Sequence, residues 1–308
     1  MGESEIFKRL IDINGEKQVR TLEPMSRHTT FRIGGPAKVF VTPDNIEKII
    51  KTVNLIREEK QEYFILGNGS NLLVADEGYD GIVISTENLK DLNIEKEDGE
   101  ITYIYAEAGA MLSRVAVLAL EGSLTGLEFA GGIPGSIGGA VSMNAGAYGG
   151  EIKDVIVSAD VLMKDGKVFK LTKDELELSY RNSIIQKEQM IVLSAEFALR
   201  KGDKEEILAK MKDFSERRRD KQPLEYASGG STFKRPEGYF AGKLIEDTGL
   251  RGYREGNVMV SEKHCGFVVN VGGGTCKEAK EVINHVKEEV QKKFGVTLEM
   301  EVKKLGWK

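Results

Sequence analysis

The alternation of apolar and polar positions sorts most of the chain into short elements. Residues 6–20 mix apolar and charged positions without a clean period, and a short helix is expected there. Residues 38–41 read as a strand. Beyond Thr42-Pro43-Asp44, the residues Ile46, Ile49, Ile50, Val53 and Ile56 recur at helical spacing, with Thr42 as the expected N-cap and Pro43 at the first helical position. That helix feeds a strand at 63–66, giving a β-α-β unit. Strands follow at 81–85 and 101–106, then an apolar helix at 110–120. Residues 155–163 and 167–171 form a hairpin about Lys164-Asp165-Gly166, and 190–199 is an apolar strand. A charged amphipathic helix covers 205–219, a shorter helix 239–246, and strands 257–260 and 266–271. Residues 275–294 form an amphipathic helix with Ala279, Val282, Ile283, Val286, Val290 and Phe294 on one face, closed by Gly295. A last strand over 296–302 would put Glu299 and Glu301 on the same face.

Two glycine-rich stretches interrupt this pattern. In the first, the strand at 63–66 empties into Gly67-Asn68-Gly69-Ser70-Asn71 and resumes at Leu72. No helix opens behind it and no Gly-Lys-Ser/Thr follows, so it is neither the dinucleotide fingerprint nor a Walker A loop. The second, 127–150, carries Gly131, Gly132, Gly135, Gly138, Gly139 and Gly146 among the small residues Ser136, Ala140 and Ala145, with Asn144. It is too apolar for a flexible linker. Bare backbone of this kind permits close approach and can turn successive N–H groups toward anionic oxygens, so the two loops are expected to cradle one diphosphate-bearing ligand between them, with Gly138 at the contact.

Composition narrows the partners. The chain has 308 residues, 40% hydrophobic and 30% charged, with a net charge of −5. That is ordinary for a soluble protein of two or three domains and argues against nucleic acid as the main partner. No apolar run is long enough to span a bilayer, and the charged start MGESEIFKRL is unlike a signal peptide. Cys265 and Cys276 do not make a disulfide framework, so a cytoplasmic location is expected. His28, His264 and His285 with the two cysteines lack a zinc spacing, so no metal is expected. A monomer is compatible with these patterns. The run Arg217-Arg218-Arg219-Asp220-Lys221 at a helix end reads equally as a phosphate-holding cluster and as solvated charge favoured by the helix dipole. Lys201-Gly202-Asp203 marks a domain boundary.

Six motifs in order then carry a resemblance: RHTTFRIGG (27–35), ILGNGSNLL (65–73), GIPGSIGGAVSMNAGAYG (132–149), SYRNS (179–183), GSTFKRP (230–236) and LEMEV (298–302). From about residue 25 to its end the chain resembles the UDP-N-acetylenolpyruvoylglucosamine reductases, flavoenzymes of peptidoglycan precursor synthesis. The chain passes directly from SYRNS to the strand at 190–199, so it looks like the shorter, second type, without the tyrosine-bearing insertion that covers substrate in the other branch. The resemblance implies an α+β fold, with a two-lobed FAD-binding domain of the vanillyl-alcohol-oxidase (PCMH) type and a C-terminal α+β substrate-binding domain. The expected division is 1–202 for the FAD region, in lobes of about 1–85 and 86–202, then 203–297 for substrate, and 298–308 returning to the active site.

The family's reaction has NADPH reduce FAD, which then reduces the enolpyruvyl ether of a UDP-sugar; no residue here marks a covalent link, so dissociable FAD is expected. By motif, Arg181 matches the arginine that holds the substrate carboxylate, a role suited to a permanent planar cation. Ser231 matches the proton donor, with Lys234 or Arg235 as neighbouring positive charge, and Glu301 matches the family glutamate. A carboxylate beside a developing enolate is useful if it is protonated or shares a proton. Gly67 to Leu72 and the second stretch from Gly131 to Gly146 are the implied FAD contacts. Tyr180, Lys234, Tyr239, Lys243 and Arg251 are candidates for the sugar and diphosphate. Two other readings stay open: an oxidase or dehydrogenase of the same fold, and a non-enzymatic flavin-binding protein.

Overall fold

The helix Cys276–Phe294 forms as its sequence demands. Thr275 caps it in a capping box with Glu278, Gly295 ends it in the left-handed conformation, and Ala279, Val282, Ile283, Val286 and Val290 are buried. Phe294, at the end of that stripe, is exposed instead. The computed structural model describes residues 3–307. The chain divides into two compact units: 1–20, 40–68 and 83–218 in the first, and 21–39, 69–82 and 219–308 in the second. The contacts therefore part after residue 218, not at the Gly202 boundary read from the sequence.

The first unit is built on an antiparallel sheet in the order Val168–Thr172, Ile156–Leu162, Ile191–Lys201, Ile101–Glu107, Leu92–Asp98, with Leu124–Thr125 added to Ile191–Lys201. The expected hairpin is present, and Ile191–Lys201 lies at the centre with Leu193, Ala195 and Phe197 buried. The helices Leu112–Glu121 and Ile137–Ser142 contribute Leu112, Val115, Ile137 and Val141 to the same core. The helix Ile46–Glu58 starts one turn later than expected: Asn45 caps it by accepting from the Lys48 N–H, and Thr42 is left outside, its hydroxyl donating to Gln18. Asn has the same short acceptor and simply stands nearer the first apolar turn.

A four-stranded sheet has the order Val19–Pro24, Pro36–Val41, Tyr79–Ser85, Tyr63–Leu66, and three of these strands carry the chain from one unit into the other. The two flanking strands of the expected β-α-β unit are thus not neighbours, since Tyr79–Ser85 lies between them.

In the second unit the antiparallel sheet Ala227–Ser228, Val268–Asn270, Val258–Val260, Arg254–Glu255 packs on Cys276–Phe294. Lys303–Leu305 pairs in parallel with Leu72–Val74. The continuous strand expected over 296–302 is not formed; that segment makes a single bridge, Met300 to Phe233, and regular pairing starts only at Lys303. The Asp76 carboxylate accepts from the Cys276 and Lys277 N–H groups (2.7 and 2.8 Å), so a residue two hundred positions away completes the helix cap. Asp76→Ala is expected to cost about 1–2 kcal/mol of stability, read as a lower urea midpoint with an unchanged m-value.

Candidate active site

In the first unit the two glycine stretches meet. Asn68 Nδ2 donates to the Pro134 carbonyl (2.6 Å), and a Cβ placed on Gly67 would lie 2.4 Å from Ser136 Oγ. Ser136 is buried, and among the described residues its hydroxyl oxygen has no hydrogen-bond partner. Buried hydroxyls are rarely left so. Beside it, Gly139 is exposed, and a Cβ there would meet only Ser136 Oγ, at 3.7 Å. An orphaned hydroxyl next to bare, open backbone fits a polar ligand lying against this segment.

Most of the other glycines have an internal reason. A Cβ on Gly138 would press on Ala108 Cβ at 3.1 Å, and the Gly138 N–H donates to the Ala108 carbonyl (2.8 Å). Gly138 is thus fixed by close packing of two chain segments, and a side chain added there would meet Ala108. Gly146 similarly packs on Gly150 and Glu151. Asn144 has an internal role. Its Nδ2 donates to Glu151 and to the Ser179 carbonyl and its Oδ1 accepts from Lys153, so the side chain braces the loop. Ala140 and Leu72 place their side chains in the core. Within the second unit, Gly69 sits where a Cβ would meet the His28 carbonyl at 1.9 Å, and its own carbonyl accepts from the Thr30 N–H (3.2 Å). The RHTTF motif and the GNGSN loop are thereby joined.

The SYRNS motif is a tight turn tied to the second glycine stretch. Ser179 and Asn182 exchange backbone hydrogen bonds, while Ser183 Oγ (2.6 Å) and Gln186 Nε2 (2.8 Å) both donate to the Ser142 carbonyl at the end of Ile137–Ser142. Arg181 is held with φ +53° and its guanidinium lies over the Tyr180 ring (5.4 Å). A left-handed conformation at a non-glycine residue is uncommon and is maintained here by the surrounding hydrogen bonds.

In the second unit Ser231 and Glu301 stand on adjacent segments. The Glu301 N–H donates to the Thr232 carbonyl and the Lys234 N–H to the Glu299 carbonyl, each at 2.9 Å, flanking the Phe233–Met300 bridge. Thr232 is buried and its hydroxyl accepts from the Val268 N–H (2.9 Å), which anchors the backbone that presents the exposed Ser231. Asn71 Nδ2 donates to the Glu301 carbonyl (3.2 Å), and the Asn71 carbonyl accepts from the Lys303 N–H (3.0 Å).

Sequence reasoning missed Lys303, two residues beyond Glu301; its partial burial, and then the charge of Lys234, hold its ammonium below the ordinary lysine range. The period-two spacing of 299, 301 and 303 was the available signal. The remaining candidate cations each hold an acid on the surface: Lys234 with Glu299 (3.0 Å), Lys243 with Asp247 (2.6 Å) and Arg251 with Glu246 (2.6 Å). Exposed pairs of this kind contribute little to stability. Tyr180 and Tyr239 are exposed. Arg235 lies over the Phe240 ring at 4.0 Å and donates to the Tyr239 carbonyl. Among the described residues no helix is long and apolar enough to cross a membrane.

Comparison with known proteins bears on both units. Residues 37–172 match the model of an FAD binding domain, and residues 222–305 match that of the UDP-N-acetylenolpyruvoylglucosamine reductase C-terminal domain. The chain is 51% identical to the UDP-N-acetylenolpyruvoylglucosamine reductase of Lachnoclostridium phytofermentans, over 98% of each chain. It is 51% identical to that of Clostridium novyi, over 98% of this chain and 97% of the relative. Among solved structures it resembles the reductase of the same name from Thermus caldophilus, with a TM-score of 0.79 and 33% identity over 94% of this chain and 98% of the other. The α+β architecture of an FAD-binding part and a reductase C-terminal domain is therefore the family's own. At about half identity over nearly its whole length, the chain belongs to the UDP-N-acetylenolpyruvoylglucosamine reductase family.

Proposed function

We propose that this chain reduces UDP-N-acetylglucosamine enolpyruvate to UDP-N-acetylmuramate, with NADPH as hydride donor and with Arg181, Ser231 and Glu301 as the reacting residues. The observation that carries the assignment of roles is the backbone pairing that sets Ser231 and Glu301 on adjacent segments, Glu301 N–H to Thr232 carbonyl at 2.9 Å. FAD is the cofactor, and Asn68, Ser136 and Gly139 would hold it; the meeting of the two glycine stretches and the unpartnered Ser136 hydroxyl among the described residues support this reading. When bound, it supplies hydride acceptance from NADPH and hydride delivery to the terminal carbon of the enolpyruvyl double bond.

The chain's own groups handle charge and proton. Arg181 binds the enolpyruvyl carboxylate, and its fixed positive charge favours the enolate that spreads into that carboxylate as hydride arrives. Ser231 donates its proton to the α-carbon, completing the addition of one hydride and one proton across the bond. A serine hydroxyl is a weak acid, so the cations Lys234 and Lys303 near this segment favour the alkoxide left behind. Glu301, protonated or sharing a proton, hydrogen-bonds the carboxylate end from the segment paired with Thr232. Lys243, Arg251 and the exposed Tyr180 and Tyr239 provide donors and ring surface for the sugar diphosphate.

Arg181→Lys tests the carboxylate role. The variant keeps the charge but loses the planar fork, and kcat/KM for the enolpyruvyl substrate is expected to fall about a hundredfold. Flavin reduction by NADPH should stay within about twofold of wild type. An equal loss in both half-reactions would instead make Arg181 a structural brace of the SYRNS turn.

A further inference from the structure

The helix Lys204–Lys221 carries Ile207, Met211, Phe214 and Arg218 at intervals of four, three and four, which is one helical face. Ile207 is buried. Met211 Cε comes within 3.0 Å of where a Cβ on Gly131 would stand, and Phe214 stacks on Tyr148 with centroids 4.6 Å apart. Arg218 Cδ and Nη1 lie 3.1 and 3.3 Å from the corresponding point on Gly132. The face therefore lies along the second glycine stretch, and its last member sets a guanidinium on bare backbone.

That guanidinium has no acid. Its neighbour Arg217 pairs with Asp213 (2.8 Å), but among the described residues Arg218 forms no ion pair. Burial holds its pKa below the ordinary arginine range, with the Tyr148 phenol acting in the opposite sense. A half-desolvated cation without a counter-charge is costly, and the protein keeps it beside a segment whose Ser136 hydroxyl also lacks a partner among the described residues. Arg217 and Arg219, by contrast, are exposed, as solvated helix-end charges are.

We infer that Arg218 is an anion-binding residue that takes a diphosphate held against Gly132, and that it is set apart in this from Arg217 and Arg219. The inference rests on the flavin reading of the glycine stretches. The diphosphate has two sources in this enzyme: FAD itself, and the UDP end of the substrate.

The test uses the full chain with Arg218→Met, which keeps the stem on Gly132 and removes the charge, and Arg218→Lys. FAD affinity is read by flavin fluorescence as apoprotein is reconstituted, and UDP affinity by calorimetry on FAD-loaded protein. A tenfold or greater loss of FAD affinity in Arg218→Met, partly restored in Arg218→Lys, assigns the residue to the cofactor diphosphate. The same loss for UDP with FAD affinity unchanged assigns it to the substrate diphosphate. Both affinities within twofold of wild type would overturn the inference. Thermal melting of each apoprotein, expected to match wild type, separates these results from misfolding. Failure of wild-type protein to bind FAD would overturn the flavin reading itself.

Discussion

Ser231→Ala leaves bleaching of the flavin by NADPH at its normal rate and slows reoxidation by the enolpyruvyl substrate by about 10²–10⁴-fold, the usual contribution of one positioned proton donor. Only the second half-reaction consumes a proton at carbon, so only that half should feel the loss. The variant should also fold. The backbone around it is held by the Thr232 N–H to the Gly266 carbonyl and the Val268 N–H to Thr232 Oγ1, both 2.9 Å, and neither involves the Ser231 side chain. Rapid mixing resolves the two halves. Wild-type reoxidation in this variant would remove Ser231 from the mechanism, and a loss shared by both halves would mean that it positions the flavin.

The second large effect separates two adjacent glycines. Gly139→Val should give a folded but colourless protein, with FAD affinity lower by at least about a hundredfold, or about 2.8 kcal/mol. The branched side chain would project into open space, since among the described residues only Ser136 Oγ approaches the added Cβ, at 3.7 Å. Replacing glycine inside a helical turn does not itself weaken the apoprotein. Gly138→Val should fail differently: its Cβ meets Ala108 at 3.1 Å, so the melting temperature falls whether or not FAD is present. Equilibrium dialysis against FAD, paired with melting of both apoproteins, reads the contrast. Full FAD occupancy in Gly139→Val would place the cofactor elsewhere.

The contrast shows what a sequence can and cannot display. Glycine density marked a segment where several positions exclude a Cβ, and both internal close approach and ligand contact demand that absence. It could not separate the two causes, which depend on whether Ala108 or open space faces a given residue. Helix Cys276–Phe294 was legible from its capping box and apolar spacing, both local properties. The strand expected over 296–302 was not, because pairing needs a partner and Met300 finds one only in Phe233. The Asn45 cap was displaced from Thr42 by one turn, a choice between two good capping residues that the apolar pattern leaves open.

The division of the chain was the least legible feature. Residues 21–39 and 69–82 join 219–308 through contacts such as Thr30 Oγ1 to the Ser228 carbonyl (2.7 Å), which no local pattern announces. The same holds for Glu301 beside Ser231, seventy residues apart in the chain. Motif order pointed to both residues, and only the fold shows why two distant motifs belong together. Lys303 escaped notice because LEMEV ends one residue before it.

The most direct test of the account is an anaerobic visible spectrum of the purified protein, with one equivalent of NADPH added first and UDP-N-acetylglucosamine enolpyruvate second. The account predicts a yellow protein that NADPH bleaches and the enolpyruvyl sugar reoxidises in stoichiometric amount. A protein that bleaches but stays reduced in the presence of that sugar would contradict it and shift the reaction to another substrate of the same flavin fold.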